Sequence, residues 1–97
     1  MNYIFRSNGQ YLGFIHNSYL FSRDGVYLGW LEGRFVWDSS GQFRGTLTTD
    51  NKYIVKSLYT IAPVSRVPRS LPPIPPLPVP QANIVAILLP VGIVDAF

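Results

Sequence analysis

One histidine, His16, and five carboxylates, Asp24, Glu32, Asp38, Asp50 and Asp95, are the residues of this chain that could move protons or hold a metal. General acid–base work needs titrating groups at a fixed, short separation. A zinc site needs several ligands converging on one point. Here the candidates are spread singly along 97 residues. Asp24, Asp38 and Asp50 sit where turns want an acceptor side chain, and His16 falls in a polar reversal. There is no cysteine, which removes thiolate ligands and disulfides. Gly9, Gly25 and Gly41 follow Asn8, Asp24 and Ser40, a turn pattern and not a phosphate-cradling loop. No catalytic residue, metal or cofactor is expected.

Two other patterns carry chemistry. Aromatic residues make up 14% of the chain and alternate with scattered arginines. Rings beside cations can stack nucleic-acid bases or cage a quaternary amine. The simpler reading is that these rings are the core, and nucleic acid is not the expected partner. The second pattern is the run Leu71, Pro72, Pro73, Ile74, Pro75, Pro76, Leu77, Pro78, continuing to Pro80. Proline removes backbone donors and forbids helix, so this run is expected as a polyproline II rod. With three residues per turn, Leu71, Ile74 and Leu77 share one edge. That edge is the candidate protein-contact site. It is expected to lie on aromatics of its own domain or of a neighbouring subunit; the alternative is that it is the ligand of an outside proline-recognition module.

Positioning falls to what comes before the rod. Tyr3-Ile4-Phe5, Tyr19-Leu20-Phe21 and Phe35-Val36-Trp37 recur every 16 residues. Each is followed by a turn glycine and, four residues later, by a second glycine: Gly13, Gly29, Gly45. Such self-similarity is the mark of a repeat architecture. The starts suit a pleated strand, and Asn8-Gly9 and Asp24-Gly25 suit a tight hairpin turn. The second glycines point to a bend or to close approach by a neighbour's ring. A fourth copy opens at Tyr53-Ile54-Val55-Lys56-Ser57, lacks the glycine turn, and is expected to give one strand before leaving the pattern. The fold class expected is all-β, with four tandem hairpin repeats about a pseudo-four-fold axis. Residues 1–64 are the repeat domain, 65–81 the proline-rich linker and rod, and 82–97 an apolar tail, expected as a strand or extended arm because of its β-branched content.

The hairpin phrases, notably Leu28-Gly29-Trp30-Leu31-Glu32-Gly33-Arg34-Phe35-Val36-Trp37-Asp38, followed by the proline run of residues 71–80, resemble the bacterial four-fold β-flower proteins. The resemblance implies a compact all-β domain. It brings no catalytic residues, and the family's function is not established.

Charged residues are only 13% and hydrophobic residues 47%, against about a quarter charged in ordinary domains. This greasiness predicts self-association through the proline-rich segment and the tail. A net charge of +3 with no basic run gives no phosphate-tracking stripe. Residues 1–6 have no signal-peptide pattern. The longest apolar run, residues 84–94, is broken by Pro90 and Gly92 and is about half a membrane span. A cytoplasmic chain, a non-enzymatic interaction or assembly module, is the reading; small-ligand or nucleic-acid binding between the rings is the alternative.

Overall fold

The computed structural model describes residues 1–59 and 63–97. Thr60, Ile61 and Ala62, read above as a continuation of the fourth copy, lie outside the described residues. The strands are β1 Asn2–Phe5, β2 Tyr11–His16, β3 Tyr19–Ser22, β4 Tyr27–Glu32, β5 Phe35–Asp38, β6 Phe43–Leu47, β7 Ile54–Ser57 and β8 Ile93–Asp95. They form one antiparallel sheet in chain order, curled so that its two edges approach. Each of the first three repeats is one hairpin: β1–β2, β3–β4 and β5–β6.

Three features recur from hairpin to hairpin because the sequence does. The middle residue of each opening triplet points to the centre: Ile4, Leu20, Val36 and, in the fourth copy, Ile54 are all buried in one cluster. Burying one such side chain stabilises by roughly 1.5–3 kcal/mol. Next, the register slips after Ile4, Leu20 and Val36, so Leu12, Leu28 and Arg44 are the extra residues of three equivalent bulges. A bulge bends and twists its strand, which is what a sheet of strands this short needs in order to curl. Finally, the triplet rings pack edge-on within each hairpin: Tyr3 on Tyr11, Tyr19 on Tyr27, Phe35 on Phe43. Between hairpins they stack, Phe14 on Phe21 at 5.4 Å and Trp30 on Trp37 at 6.4 Å. Phe14 and Trp30 therefore occupy the same environment, as the repeat reading requires.

The second glycines are needed for a close approach, but the approaching group is backbone. A Cβ on Gly13 would run into the carbonyl oxygen of Phe21, and one on Gly29 into that of Trp37. A neighbour's ring, expected from sequence, is not what fills the space. The stacked ring belongs to the residue after the glycine, and close backbone approach is what lets it reach the next hairpin.

The fourth hairpin is completed from far along the chain. β7 pairs with β8, so the strand that repeat four lacks locally comes from the apolar tail. Gly92 has the turn glycine's positive φ of 84°, and Ala96, four residues on, stands where the other repeats have their second glycine. Ala96 N–H donates to Ile54 O at 3.0 Å, while Ile4, Leu20 and Val36 pair with Gly13, Gly29 and Gly45. Repeat four is thus a whole unit whose turn has been opened by residues 58–92. The fourth copy, expected to give a single strand, thus has two, and the described residues hold eight strands.

At the seam the first and last repeats meet through other means. Phe5 N–H donates to Lys52 O at 2.7 Å. Where Arg23 N–H and Ser39 N–H donate to the carbonyls of Leu12 and Leu28, Ser7 N–H donates instead to Asp95 Oδ1 at 2.9 Å. The Ser7 hydroxyl donates to Asp95 Oδ2 at 2.6 Å.

Candidate functional site

The segment that opens the fourth turn runs around the sheet as a belt. Residues 63–90 have no helix or strand. The belt meets the turns in reverse order. Arg66 N–H donates to Gly41 O at 2.7 Å, and Ile84 N–H to Gly9 O at 2.9 Å. Between them, the Leu77 side chain lies over Gly25. A Cβ on Gly41 would strike the Arg66 carbonyl, and one on Gly9 that of Ile84, so these glycines also make the belt's seats. Tyr11 N–H donates to Asn83 Oδ1 at 3.2 Å, and Ile87 N–H to Ser7 O at 2.7 Å.

The rod is the middle of this belt. Its three-residue period is realised, but with the edges exchanged. Pro72, Pro75 and Pro78 are the half-buried positions, while Leu71, Pro73, Ile74, Pro76 and Leu77 are exposed. Residues 72–75 form one wall of a cleft whose other wall is His16, Asn17, Tyr19 and Phe21. The expectation that Leu71, Ile74 and Leu77 lie on their own domain's aromatics is corrected here: Leu71 is 79%, Ile74 96% and Leu77 62% exposed. Pro72, Pro75 and Pro78 lie inward, Leu71 and Ile74 are exposed, and Leu77 is exposed apart from its contact over Gly25. His16 ends β2 half-buried beside the rod, not in an exposed loop, and its Nε2 is 3.3 Å from Asn17 Nδ2.

A clasp precedes the rod. The Arg66 guanidinium lies over the Trp37 ring at 5.0 Å and that of Arg69 over Trp30 at 5.1 Å. Glu32 joins both, with Oε2 3.4 Å from Arg66 Nε and Oε1 3.7 Å from Arg69 Nη2. Trp30 Nε1–H also donates to Glu32 Oε2, at 3.5 Å. Each cation–ring contact at such an exposed site is worth roughly 0.5–1 kcal/mol, and each exposed ion pair adds less than about 1. In the sequence these are two of the scattered arginines, with no contact expected of them. The available signal was Glu32 two residues after Trp30, on the same strand face, with two arginines three apart entering the belt.

A second cluster secures the chain after β8. Arg44, which stands where Leu12 and Leu28 stand in the other hairpins, donates through Nη2 to Ala96 O at 2.7 Å. Its guanidinium also lies 4.2 Å above the Phe97 ring. Arg6 Nε–H donates to Phe97 O at 3.1 Å.

Asp38 and Asp50 serve turns. Asp38 Oδ1 accepts from the Ser40 hydroxyl at 2.6 Å and from the Ser40 and Gln42 N–H groups at 3.0 Å each. Burial pushes this carboxyl up, but those hydrogen bonds and Arg44 outweigh it and hold it below the usual range. The Thr48 hydroxyl at 2.5 Å does most to lower Asp50. Burial raises the Tyr11 and Tyr27 phenols; both hydroxyls are enclosed without a protein partner. Among the described residues no three His, Asp or Glu side chains gather as a metal-holding group, and no helix is long and apolar enough to cross a membrane.

These elements define an all-β protein of hairpins repeated about a pseudo-four-fold axis, with its fourth turn drawn out into a belt. A family model described as 4-fold beta flower protein matches residues 1–89, and the chain belongs to that family. The matched residues take in the first three hairpins, β7 and the belt up to residue 89, and stop short of β8. No curated protein and no solved structure matches the chain.

Proposed function

We propose that this chain is a non-enzymatic protein-contact module, and that it assembles with copies of itself through the outward edge of the belt. The observation that carries this is the exposed row Leu71, Ile74 and Leu77 on a rod held down by its proline edge. A polyproline rod is already extended before it binds, so docking costs it little conformational entropy. Exposed apolar residues scattered singly mean nothing, but three of them on one edge of a rod give a partner one continuous stripe. The low charged fraction of 13% points the same way. A cytoplasmic, bacterial setting belongs to this reading.

Stacking of a small ligand or of nucleic-acid bases between repeats is the weaker alternative. Those rings are already stacked on one another, and Arg66 and Arg69 lie over the indoles.

Cutting the chain after Ser70 would remove β8 as well as the rod, so substitution is the cleaner test. Sedimentation velocity of the native chain is expected to show species heavier than 10.9 kDa. The triple variant Leu71→Ser, Ile74→Ser, Leu77→Ser is expected to weaken that association at least tenfold with an unchanged circular dichroism spectrum. An unchanged association constant in the variant would refute the role of this edge.

A further inference from the structure

The two parts of the fourth connection are specified very unequally. The strand it delivers is gripped: Asp95 by Ser7, Ala96 by Ile54 and Arg44, Phe97 by Arg6 and Arg44. The middle of the stretch that delivers it is not. Among the described residues, no hydrogen bond joins residues 70–82 to the sheet. Apolar side chains all along the belt face solvent, from Val67 through Ile74 to Leu88, which is 99% exposed.

The first three hairpins have turns of a few residues and can close only on themselves. The fourth has no such limit. An extended proline-rich chain rises about 3.1 Å per residue, so residues 70–82 alone can reach roughly 40 Å. The whole molecule is 37 Å across its longest axis. The seat for β8 is made by Ser7, Arg6, Arg44 and β7, none of which belongs to the connection. Those contacts are the same whichever copy supplies the strand.

We infer that β8 is exchangeable: Ile93–Phe97 of one copy completes the fourth hairpin of a second copy, and the second returns the same strand to the first. The joint is isologous and closes at two chains. It keeps every hydrogen bond of the β8 seat, and it brings two belts alongside each other, where their outward apolar side chains become covered. The cis form leaves those side chains in water. This inference rests on the assembly reading above and names its partner and the strand that makes the joint.

The chain has no cysteine, which makes the test direct. Ser7→Cys and Asp95→Cys are introduced together, the protein is refolded over a wide concentration range and oxidised, and its covalent mass is read under denaturing, non-reducing conditions. The expected result is a disulfide-linked pair of chains at twice 10.9 kDa, in a proportion that rises with refolding concentration. Only intrachain disulfides at every concentration would overturn the inference. If the pair does not oxidise, native mass spectrometry of the unmodified chain decides. A two-chain species that mixes with isotope-labelled chains only after unfolding supports exchange; a single-chain species throughout overturns it. Placed in the Leu71, Ile74, Leu77 serine background, the cysteine pair separates the two ideas. Interchain disulfides with association unaffected by the serines leave exchange standing and remove the rod edge. Intrachain disulfides with association that the serines abolish do the reverse.

Discussion

Leu20→Ala destabilises the protein by about 3 kcal/mol, as large-to-small changes in a closed core do. Leu20 is fully buried where the four repeats meet, with Ile4, Val36 and Ile54 around it. Each repeat contributes one aliphatic to that centre, so the cavity left by one truncation is walled by three other units. A domain of this size has only about 5–15 kcal/mol in all, so the loss is a large fraction of its stability. The same change on the belt, Leu71→Ala, costs under about 0.5 kcal/mol, because Leu71 is 79% exposed. Urea unfolding followed by the fluorescence of Trp30 and Trp37 reads both. Equal, small losses at the two positions would mean that the centre is not a shared core.

Gly29→Ala costs a similar amount, about 3 kcal/mol, for the opposite reason. Nothing is removed; a methyl group is forced against the Trp37 carbonyl. Overpacking against side chains costs roughly 1–3 kcal/mol, and here the obstacle is backbone held in a strand pair, which cannot rotate away. The shift would also part Trp30 from Trp37, so the stacked pair should change its fluorescence in the folded state. Gly33 is the control. It has open space around it and only its positive φ of 61° to lose, so Gly33→Ala costs about 1 kcal/mol. If the two variants unfold at the same urea concentration, close backbone approach is not what selects Gly29.

How legible the fold is from sequence depends on whether a feature repeats. Tyr3, Tyr19, Phe35 and Tyr53 announce four units because the same packing problem is solved four times. The turn glycines and the second glycines are visible for the same reason. The pairing of the eighth strand is hidden because its partner lies beyond residues 58–92, and no local pattern ties Gly92 and Ala96 to Tyr53. Seen beside Gly9 and Gly13, their spacing of four is the one available clue. The seam contact of Asp95 with Ser7 occurs once and has no counterpart to align with.

The candidate site is legible in period but not in direction. A spacing of three at Leu71, Ile74 and Leu77 shows that one edge is aliphatic. Which edge faces inward is decided by what the rod lies on, and the wall of His16, Asn17, Tyr19 and Phe21 is assembled only by folding. The clasp of Arg66 and Arg69 is only faintly marked in the sequence, by Glu32 two residues after Trp30, for a related reason. Arginines in a linker look solvated until the chain's path carries them over Trp37 and Trp30.

The whole account turns on the fourth hairpin being closed by a strand that arrives from the far end of the belt. Amide hydrogen exchange measured by NMR examines this residue by residue. The Ala96 amide, donated to Ile54 O, and the Leu58 amide, donated to Gly92 O, should exchange as slowly as the Leu31 and Leu47 amides, donated to Ser18 O and Arg34 O. Exchange of Ala96 and Leu58 at the rate of an unstructured peptide, with Leu31 and Leu47 protected, would mean three hairpins and a loose tail, and would contradict it.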